Sequence, residues 1–397
     1  MTGPSVVIPE LSESGRARLC ELAASAGIRR IHMLGWRDLE DPEAGGSEVH
    51  ASTVAALWAA AGLEVTMRSS AGVGLSSVGF RDGYRVIRRG SRYGVFPRAV
   101  AAEVTGRHGP ADALVEIWNG VPFLSPLWWR GAHVVWLHHV HGPMWNMALG
   151  PVGSVGRVME ERLAPRLYRK VPVVTLSKSS ETELIHELGI PSSNLGVVEP
   201  GIDPRFSPGG ARSKVPLVVA VGRLVPVKRF PMLVRAAAAA RARLGDLQLM
   251  IVGEGYKRPE VERTIADVGG EEWIRLLGHV SDERLIELYR SAWCVASASE
   301  REGWGMTITE AAACGTPAVA TDISGHSDAI RDGSSGVLAA TEEALGDALT
   351  AVLGDRAFRE RLQQGALDRA QVLTWEHTAI ANLEVLATGS TANAWPS

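Results

Sequence analysis

The stretch Pro216-Leu217-Val218-Val219-Ala220-Val221-Gly222-Arg223-Leu224-Val225-Pro226-Val227-Lys228-Arg229-Phe230 decides how this chain of 397 residues is read. A short apolar run between a proline and a glycine has the look of a first strand starting a new sheet. A helical pattern follows at 230–244, then apolar runs at 248–252, 273–277, 294–296 and 318–320. Upstream lies a second series, at 31–35, 65–68, 113–117, 134–137 and 173–176, with a helical pattern at 47–61. Strands alternating with helices predict a parallel sheet covered on both faces, so the class is α/β, with two Rossmann-like doubly wound domains. Prolines and glycines concentrate in Glu199-Pro200-Gly201-Ile202-Asp203-Pro204-Arg205-Phe206-Ser207-Pro208-Gly209-Gly210, which places the joint there. The expected domains are 1–205 and 206–375.

Composition narrows the function classes. Hydrophobic residues make up 46% and charged residues 21%, enough for two cores. Net charge is −3, with 21 basic against 20 acidic residues in 1–205 and 20 against 24 in the rest, so a nucleic-acid partner has no electrostatic support. The three cysteines, Cys20, Cys294 and Cys314, have no metal-binding spacing and do not make a disulfide framework. The N-terminus lacks a signal-peptide pattern, and no uninterrupted apolar stretch of about 18 residues occurs. A cytoplasmic protein without a membrane span is expected.

Four segments carry chemistry. Glu43-Ala44-Gly45-Gly46-Ser47-Glu48 opens the first long helix, with Ser47 read as its N-cap and the glycines allowing a ligand close to the backbone. Gly222-Arg223 and Lys228 stand at the carboxyl end of a strand, where open α/β sheets bind ligands. The arginine fork and the lysine point charge suit a diphosphate; the bland alternative is a pair of solvated cations. In Glu300-Arg301-Glu302-Gly303-Trp304-Gly305-Met306-Thr307-Ile308-Thr309-Glu310, a glycine-rich loop leads into a helix with a carboxylate on either side of its start. Helix-start N–H groups suit phosphate, and carboxylates suit sugar hydroxyls, one for a transferred sugar and one for a ribose diol. Leu137-His138-His139-Val140-His141 closes a first-domain strand. No carboxylate or cysteine completes a metal set there, so a histidine facing a cleft is expected and a metal is not, with a satisfied core histidine as the alternative for at least one of the three.

Two softer features remain. Trp118, Trp128, Trp129, Trp136 and Trp145 crowd one segment; most are expected in the core, with one or two free to stack on an acceptor. Arg81, Arg85, Arg88, Arg89, Arg92 and Arg98 face a single Asp82, which reads either as a solvated basic face or as a peripheral contact for an anionic acceptor or the inner face of a membrane.

Taken together, the stretches GGSE, LHHVH, TLSKSS, EPGIDPRFSP, VAVGRLVPVKRF, GEGYKRPEVE, LLGHVSDERLIELYRSA, EREGWGMTITEAAACGTPAVAT and SGHSDAIRDGSSGVL resemble the retaining GT-B glycosyltransferases of family 4, the group 1 glycosyl transferases. The resemblance spans about residues 31–376. It implies two domains facing a central cleft, a last helix crossing back near Trp375 so that about 376–397 rejoins the N-terminal domain, and a nucleotide-sugar donor, UDP- or GDP-linked, bound mainly by the C-terminal domain. It assigns Arg223 and Lys228 to the diphosphate, Glu302 to the transferred sugar and Glu310 to the ribose. Gly303, Gly305, Met306 and Thr307 match the loop on sugar and phosphate, Gly253 and the turn 278–280 with Val280 the nucleoside pocket. Gly46 matches a glycine closing over the phosphates, and His138 the cleft histidine, with His139 in contention because aspartate commonly follows that histidine. Trp304 replaces a usual Phe, and Asp328 a frequent Glu. The implied catalytic set is His138, Arg223, Lys228 and Glu302, with no metal and no cofactor. The implied acceptor carries a hydroxyl, on a cell-envelope lipid or glycan or on a small metabolite.

Three other readings bear on the same residues. A dehydrogenase would need G-x-G-x-x-G after the first strand with an acid about 20 residues on, which neither glycine segment supplies. An epimerase or phosphorylase on the same fold sits poorly with the 300–317 block. An inactive sugar-nucleotide-binding scaffold sits poorly with Arg223, Lys228, Glu302 and Glu310 all in place.

Overall fold

The computed structural model describes residues 6–72, 74–138, 140, 145, 153–389 and 391. The chain divides into two compact units, Met1–Gly201 with Thr374–Ser397, and Ile202–Leu373.

In the first unit the strands are β1 (Arg30–Leu34), β2 (Glu64–Ser69), β3 (Val78–Arg81), β4 (Tyr84–Arg88), β5 (Ala113–Ile117), β6 (Ala132–Trp136), β7 (Val173–Thr175) and β8 (Leu195–Val197). They lie in the order β3-β4-β2-β1-β5-β6-β7-β8, parallel except for the β3–β4 hairpin. That hairpin turns on Asp82 and Gly83, both at positive φ, with Arg81 opposite Tyr84. This is the two-residue turn that Asp-Gly favours. β5 is buried at every position, as a central parallel strand with helices on both faces should be. The helix Trp375–Thr388 belongs to this unit and packs on the helices Glu13–Ser25 and Gly46–Ala60. Trp58 Nε1 donates to Ala379 O at 2.9 Å, and Glu376 accepts from Ser12 N at 2.6 Å. Gly201 is where the chain crosses this helix: a Cβ there would lie 2.2 Å from Trp375 N.

The second unit holds β9 (Leu217–Val221), β10 (Gln248–Val252), β11 (Ile274–Gly278), β12 (Cys294–Ser297), β13 (Ala318–Thr321) and β14 (Gly336–Ala339). All pairs are parallel, in the order β11-β10-β9-β12-β13-β14. Counted within the unit this is the 3-2-1-4-5-6 order of dinucleotide-binding sheets. Chain direction across the sheet reverses between β9 and β12, which opens a crevice at their carboxyl ends. The core below it joins Val218, Leu249, Ile251 and Cys294 of the sheet to Leu233, Val234 and Ala237 of the helix Phe230–Leu244.

Several sequence expectations shift. The helix near 47–61 is Gly46–Ala60, and its N-cap is Gly45, not Ser47. The Glu48 carboxylate accepts from Gly45 N at 2.8 Å, completing the reach-back half of a capping box and leaving the Ser47 hydroxyl for other partners. Of the five clustered tryptophans, Trp118, Trp136 and Trp145 are buried and Trp128 and Trp129 half-buried, and the indole N–H groups of Trp118, Trp128 and Trp129 donate to nearby carbonyls. Among the described residues no helix is long and apolar enough to cross a membrane.

Candidate donor site at the carboxyl ends of β9 and β12

Three loops of the second unit interlock at the crevice. The loop after β9 carries Gly222, Arg223 and Lys228; the loop after β12 carries Ser299 and Glu302; the loop after β13 carries Gly325 and His326. Backbone bonds stitch the first two, with Glu300 N donating to Val227 O at 2.8 Å. Arg229, held at φ +44, spans them by donating from Nε to Ala298 O at 2.8 Å and from Nη2 to Ser299 O at 3.0 Å. The third loop is tied in by Thr321 Oγ1, which donates to Ser299 O at 2.6 Å. Gly325 is required by this packing. Its φ is +82, and a Cβ there would lie 2.7 Å from Glu302 O and 2.8 Å from Trp304 N.

The candidate side chains meet on this frame. Lys228 Nζ donates to Glu302 Oε1, which also accepts from Ser299 Oγ at 2.8 Å. The two charged side chains remain 24% and 20% exposed, so a ligand can reach both. Burial opposes ionisation of Glu302, but Lys228 and then His326 outweigh it and hold the carboxyl below its ordinary range. His326 is itself buried, donates from Nδ1 to Thr321 O at 2.9 Å, and has its pKa lowered by that burial. Arg223 is exposed at the end of β9.

Glu310 lies more than one turn into the helix Met306–Ala313, whose N-cap is Gly305 at φ +139. Tyr289 OH donates to Glu310 Oε2 at 3.2 Å. Burial raises the Glu310 pKa to about 7; the Tyr289 hydrogen bond opposes this, while Asp203 and Asp282 add to it. Those two aspartates flank Arg205, at 2.7 Å and 2.8 Å, whose pKa is raised by Asp203 above all. Gly303, Met306 and Thr307 line the start of the same helix. On the other flank Gly253 N donates to Gly278 O at 2.8 Å, joining the ends of β10 and β11 just before Val280. Gly253 has φ +128, and a Cβ there would lie 2.1 Å from Gly222 O.

The two remaining candidates, Gly46 and His138, are in the first unit. Gly46 is exposed at the start of its helix, and His138, 6% exposed, stands just past β6. They are brought together by Ser47, whose Oγ lies 3.1 Å from His138 Nδ1. His50, one helical turn on, packs edge-on to His138 at 5.0 Å. His139 and His141 lie outside the described residues, so the choice between His138 and His139 rests on sequence alone.

The model described as "Glycosyltransferase Family 4" matches residues 44–206, and that described as "Glycosyl transferases group 1" matches 203–369. A D-inositol 3-phosphate glycosyltransferase of Salinispora arenicola is 34% identical over 319 residues, covering 72% of this chain and 70% of that protein. The chain belongs to glycosyltransferase family 4. A family relative of the same name from Nocardia farcinica is 37% identical over 276 residues, 64% of this chain. The match spans 61% of that relative's length, and only 50% of a Nocardioides relative's. In fold, the chain is similar to sucrose-phosphate synthase from Thermosynechococcus elongatus, with a TM-score of 0.74 at 20% identity over 88% of this chain and 96% of that one. It is also similar to Anabaena HepE solved with UDP and glucose, with a TM-score of 0.67 at 19% identity over 90% and 97%. The architecture is that of the GT-B glycosyltransferases.

Within this family 4 frame, sequence reasoning passed over several residues that shape the site. Ser299 and His326 flank Glu302, Tyr289 holds Glu310, and the Asp203–Arg205–Asp282 cluster sets its field. Asp203 and Arg205 sit in the segment read as the joint and as part of the EPGIDPRFSP stretch, with no role assigned to either. The basic stretch is not one face. Arg81 and Arg88 turn inward to the buried Asp38, at 2.7 Å and 3.2 Å, and Arg92 pairs with Glu43 at 2.8 Å.

Proposed function

We propose that the chain transfers a hexose, with retention, from a UDP- or GDP-linked sugar held by the C-terminal unit to a hydroxyl acceptor, with no metal or cofactor. The observation that carries this is the meeting of Lys228 and Glu302, from separate loops, at the β9–β12 crevice, with Glu310 on the helix that starts beside them. A nucleoside diphosphate needs cations, N–H donors and a carboxylate for its ribose, and this arrangement supplies each. Arg223 and Lys228 would neutralise the charge that builds on the leaving diphosphate, an interaction that strengthens as the glycosidic bond breaks. The Glu302 carboxylate, released from Lys228 by the incoming phosphate, would accept hydrogen bonds from the sugar. The acceptor attacks from the face the diphosphate leaves, and a leaving phosphate oxygen takes its proton. His138, fixed by Ser47, is assigned to the sugar side of the donor, and Gly46 to the phosphates.

The structure of HepE with UDP-glucose favours uridine as the base, and the names of the actinobacterial relatives favour a phosphorylated polyol as acceptor. The test begins with melting temperatures against UDP, GDP, ADP, TDP and their sugars without metal, for the parent and Lys228→Ala. A bound ligand raises the folded-state melting temperature by mass action. One nucleotide class should stabilise the parent and lose effect in the variant. Product stereochemistry by NMR with an inositol phosphate acceptor then checks retention. Stabilisation by none of them, or an inverted product, would overturn the reading.

A further inference from the structure

The arginines of 81–98 that do not pair with acids collect elsewhere. Arg85 on β4, Arg89 just after it and Arg98 on the helix Val95–Val104 line one cavity of 260 Å³. Arg68 of β2 and Arg107 beyond the helix complete it, so five guanidinium-bearing residues surround one space. The lining contains no carboxylate. Among the described residues none of the five forms an ion pair, whereas Arg81, Arg88 and Arg92 all do. Glu103 is a nearby counter-charge that raises the Arg68 pKa, but burial and the charge of Arg89 outweigh it, and its carboxylate oxygens are already taken by His32 at 2.7 Å and His108 at 2.6 Å.

Arg68 is the unusual member. It is 1% exposed, yet its guanidinium meets only carbonyls: Ser69 O, Ile87 O at 3.4 Å and Arg89 O at 2.6 Å. Its Nε has no partner. Burial, then the charge of Arg89, lowers its pKa to about 10. A buried cation normally has a counter-charge, since burying it alone is costly. The rest of the lining offers none.

We propose that this cavity binds a phosphoryl anion, at a site separate from the donor crevice of the other unit. Forked N–H pairs of arginine match phosphate oxygens in two-point contacts, which lysine cannot reproduce. The volume lies just below the range of about 300–1,000 Å³ typical of pockets for larger ligands, and so favours a compact anion. The same chemistry is presented by a free phosphate compound or by a lipid headgroup.

The experiment uses the full chain carrying Lys228→Ala, which removes the lysine from the donor crevice. Calorimetric titration with inorganic diphosphate at fixed ionic strength measures binding, with and without Arg89→Ala plus Arg98→Ala. Both arginines are exposed, so their loss should leave the fold intact. A parallel arm sediments the same proteins with neutral vesicles and with vesicles containing phosphatidylinositol. The expected result is binding of one diphosphate per chain, weakened about tenfold or more by the double substitution. Loss of vesicle binding alone in that variant assigns the site to a lipid headgroup; loss of diphosphate binding alone assigns it to a soluble phosphate. Arg68→Met, if its melting temperature shows that it folds, should abolish either. The proposal fails if neither probe binds the Lys228→Ala chain, or if removing Arg89 and Arg98 leaves both affinities unchanged. With Lys228 intact, the double variant should bind UDP as the parent does, which separates this failure from failure of the donor site.

Discussion

Glu310 gives the sharpest test of the donor site, because its burial makes pH a handle on binding. Its pKa stands at about 7, and only the ionised carboxylate can accept both hydrogen bonds of a ribose diol. A group with that pKa is about 10% ionised at pH 6 and about 90% at pH 8. Affinity for the donor should therefore rise about ninefold over that interval, equivalent to about 1.3 kcal/mol. The probe is an intact nucleotide sugar, whose diphosphate lacks the terminal phosphate ionisation near pH 6. Calorimetry in two buffers of different ionisation enthalpy should show release of close to one proton on binding at pH 6 and almost none at pH 8. Glu310→Gln keeps the shape and removes the titration, so its affinity should be weaker and flat with pH. Stability moves the opposite way. The folded pKa is above the unfolded one, so between about pH 4.5 and 7 the native state holds a proton that the unfolded chain has lost, and stability falls as pH rises through that window. Glu310→Gln should thus gain up to about 3 kcal/mol over the parent at pH 8, a difference that vanishes by pH 4. A parent affinity that is flat from pH 6 to 8, or a slope shared by the Gln variant, would refute the assignment of Glu310 to the ribose.

Other predictions follow from the same frame. Lys228→Ala should lower kcat by about 10²–10³-fold while shifting stability by less than about 1 kcal/mol, since the pair it breaks is partly exposed; initial rates near the parent's would remove Lys228 from the mechanism. Gly325→Ala should cost on the order of 2 kcal/mol in denaturant titration and weaken donor binding, because its Cβ must displace the backbone of Glu302 and Trp304. His50 is buried with neither ring nitrogen hydrogen-bonded, and burial lowers its pKa to about 3. The unfolded chain binds a proton there that the native state refuses, so stability is lost as pH falls below about 6.5, and His50→Leu should lessen that loss between pH 7 and 5; equal losses in both proteins would show that His50 does not drive it. Transfer should proceed undiminished in EDTA, as measured by product formation, and a collapse that magnesium restores would show that the cations of the crevice do not suffice.

How far the chain can be read from its sequence depends on where the deciding contacts lie. The strand 217–221, the strand 248–252 and the helix 230–244 match their sequence-read bounds, because apolar runs there stop at glycine or proline. Lys228 and Glu302 were readable as candidates because both follow central strands, where the topology itself makes a crevice. His326, Tyr289 and Arg205 were not, since each acquires its role from a partner that the fold delivers from another loop or helix; Ser299, three residues before Glu302 in the same loop, carried no distinguishing signal of its own. The β3–β4 hairpin had a local signal, the Asp82-Gly83 pair, but the surrounding arginines hid the strand pattern and the region was read as charge alone.

The arginines of that hairpin show why charge is the least legible property. Arg81 and Arg88 point at Asp38, more than forty residues upstream, and form a closed network in the interior of the first unit. Arg85 lies between them in sequence, yet on β4 it alternates with Arg88 to the other face of the sheet, toward Arg68 and Arg98. Period-two alternation thus sends neighbouring, chemically identical residues to opposite electrostatic fates. One set is neutralised by carboxylates inherited from the β1–α connection; the other surrounds a space that contains none. A count of basic residues along the chain assigns the same meaning to both sets, and only the pairing of β2 with β4 shows which arginines still have charge to offer a ligand.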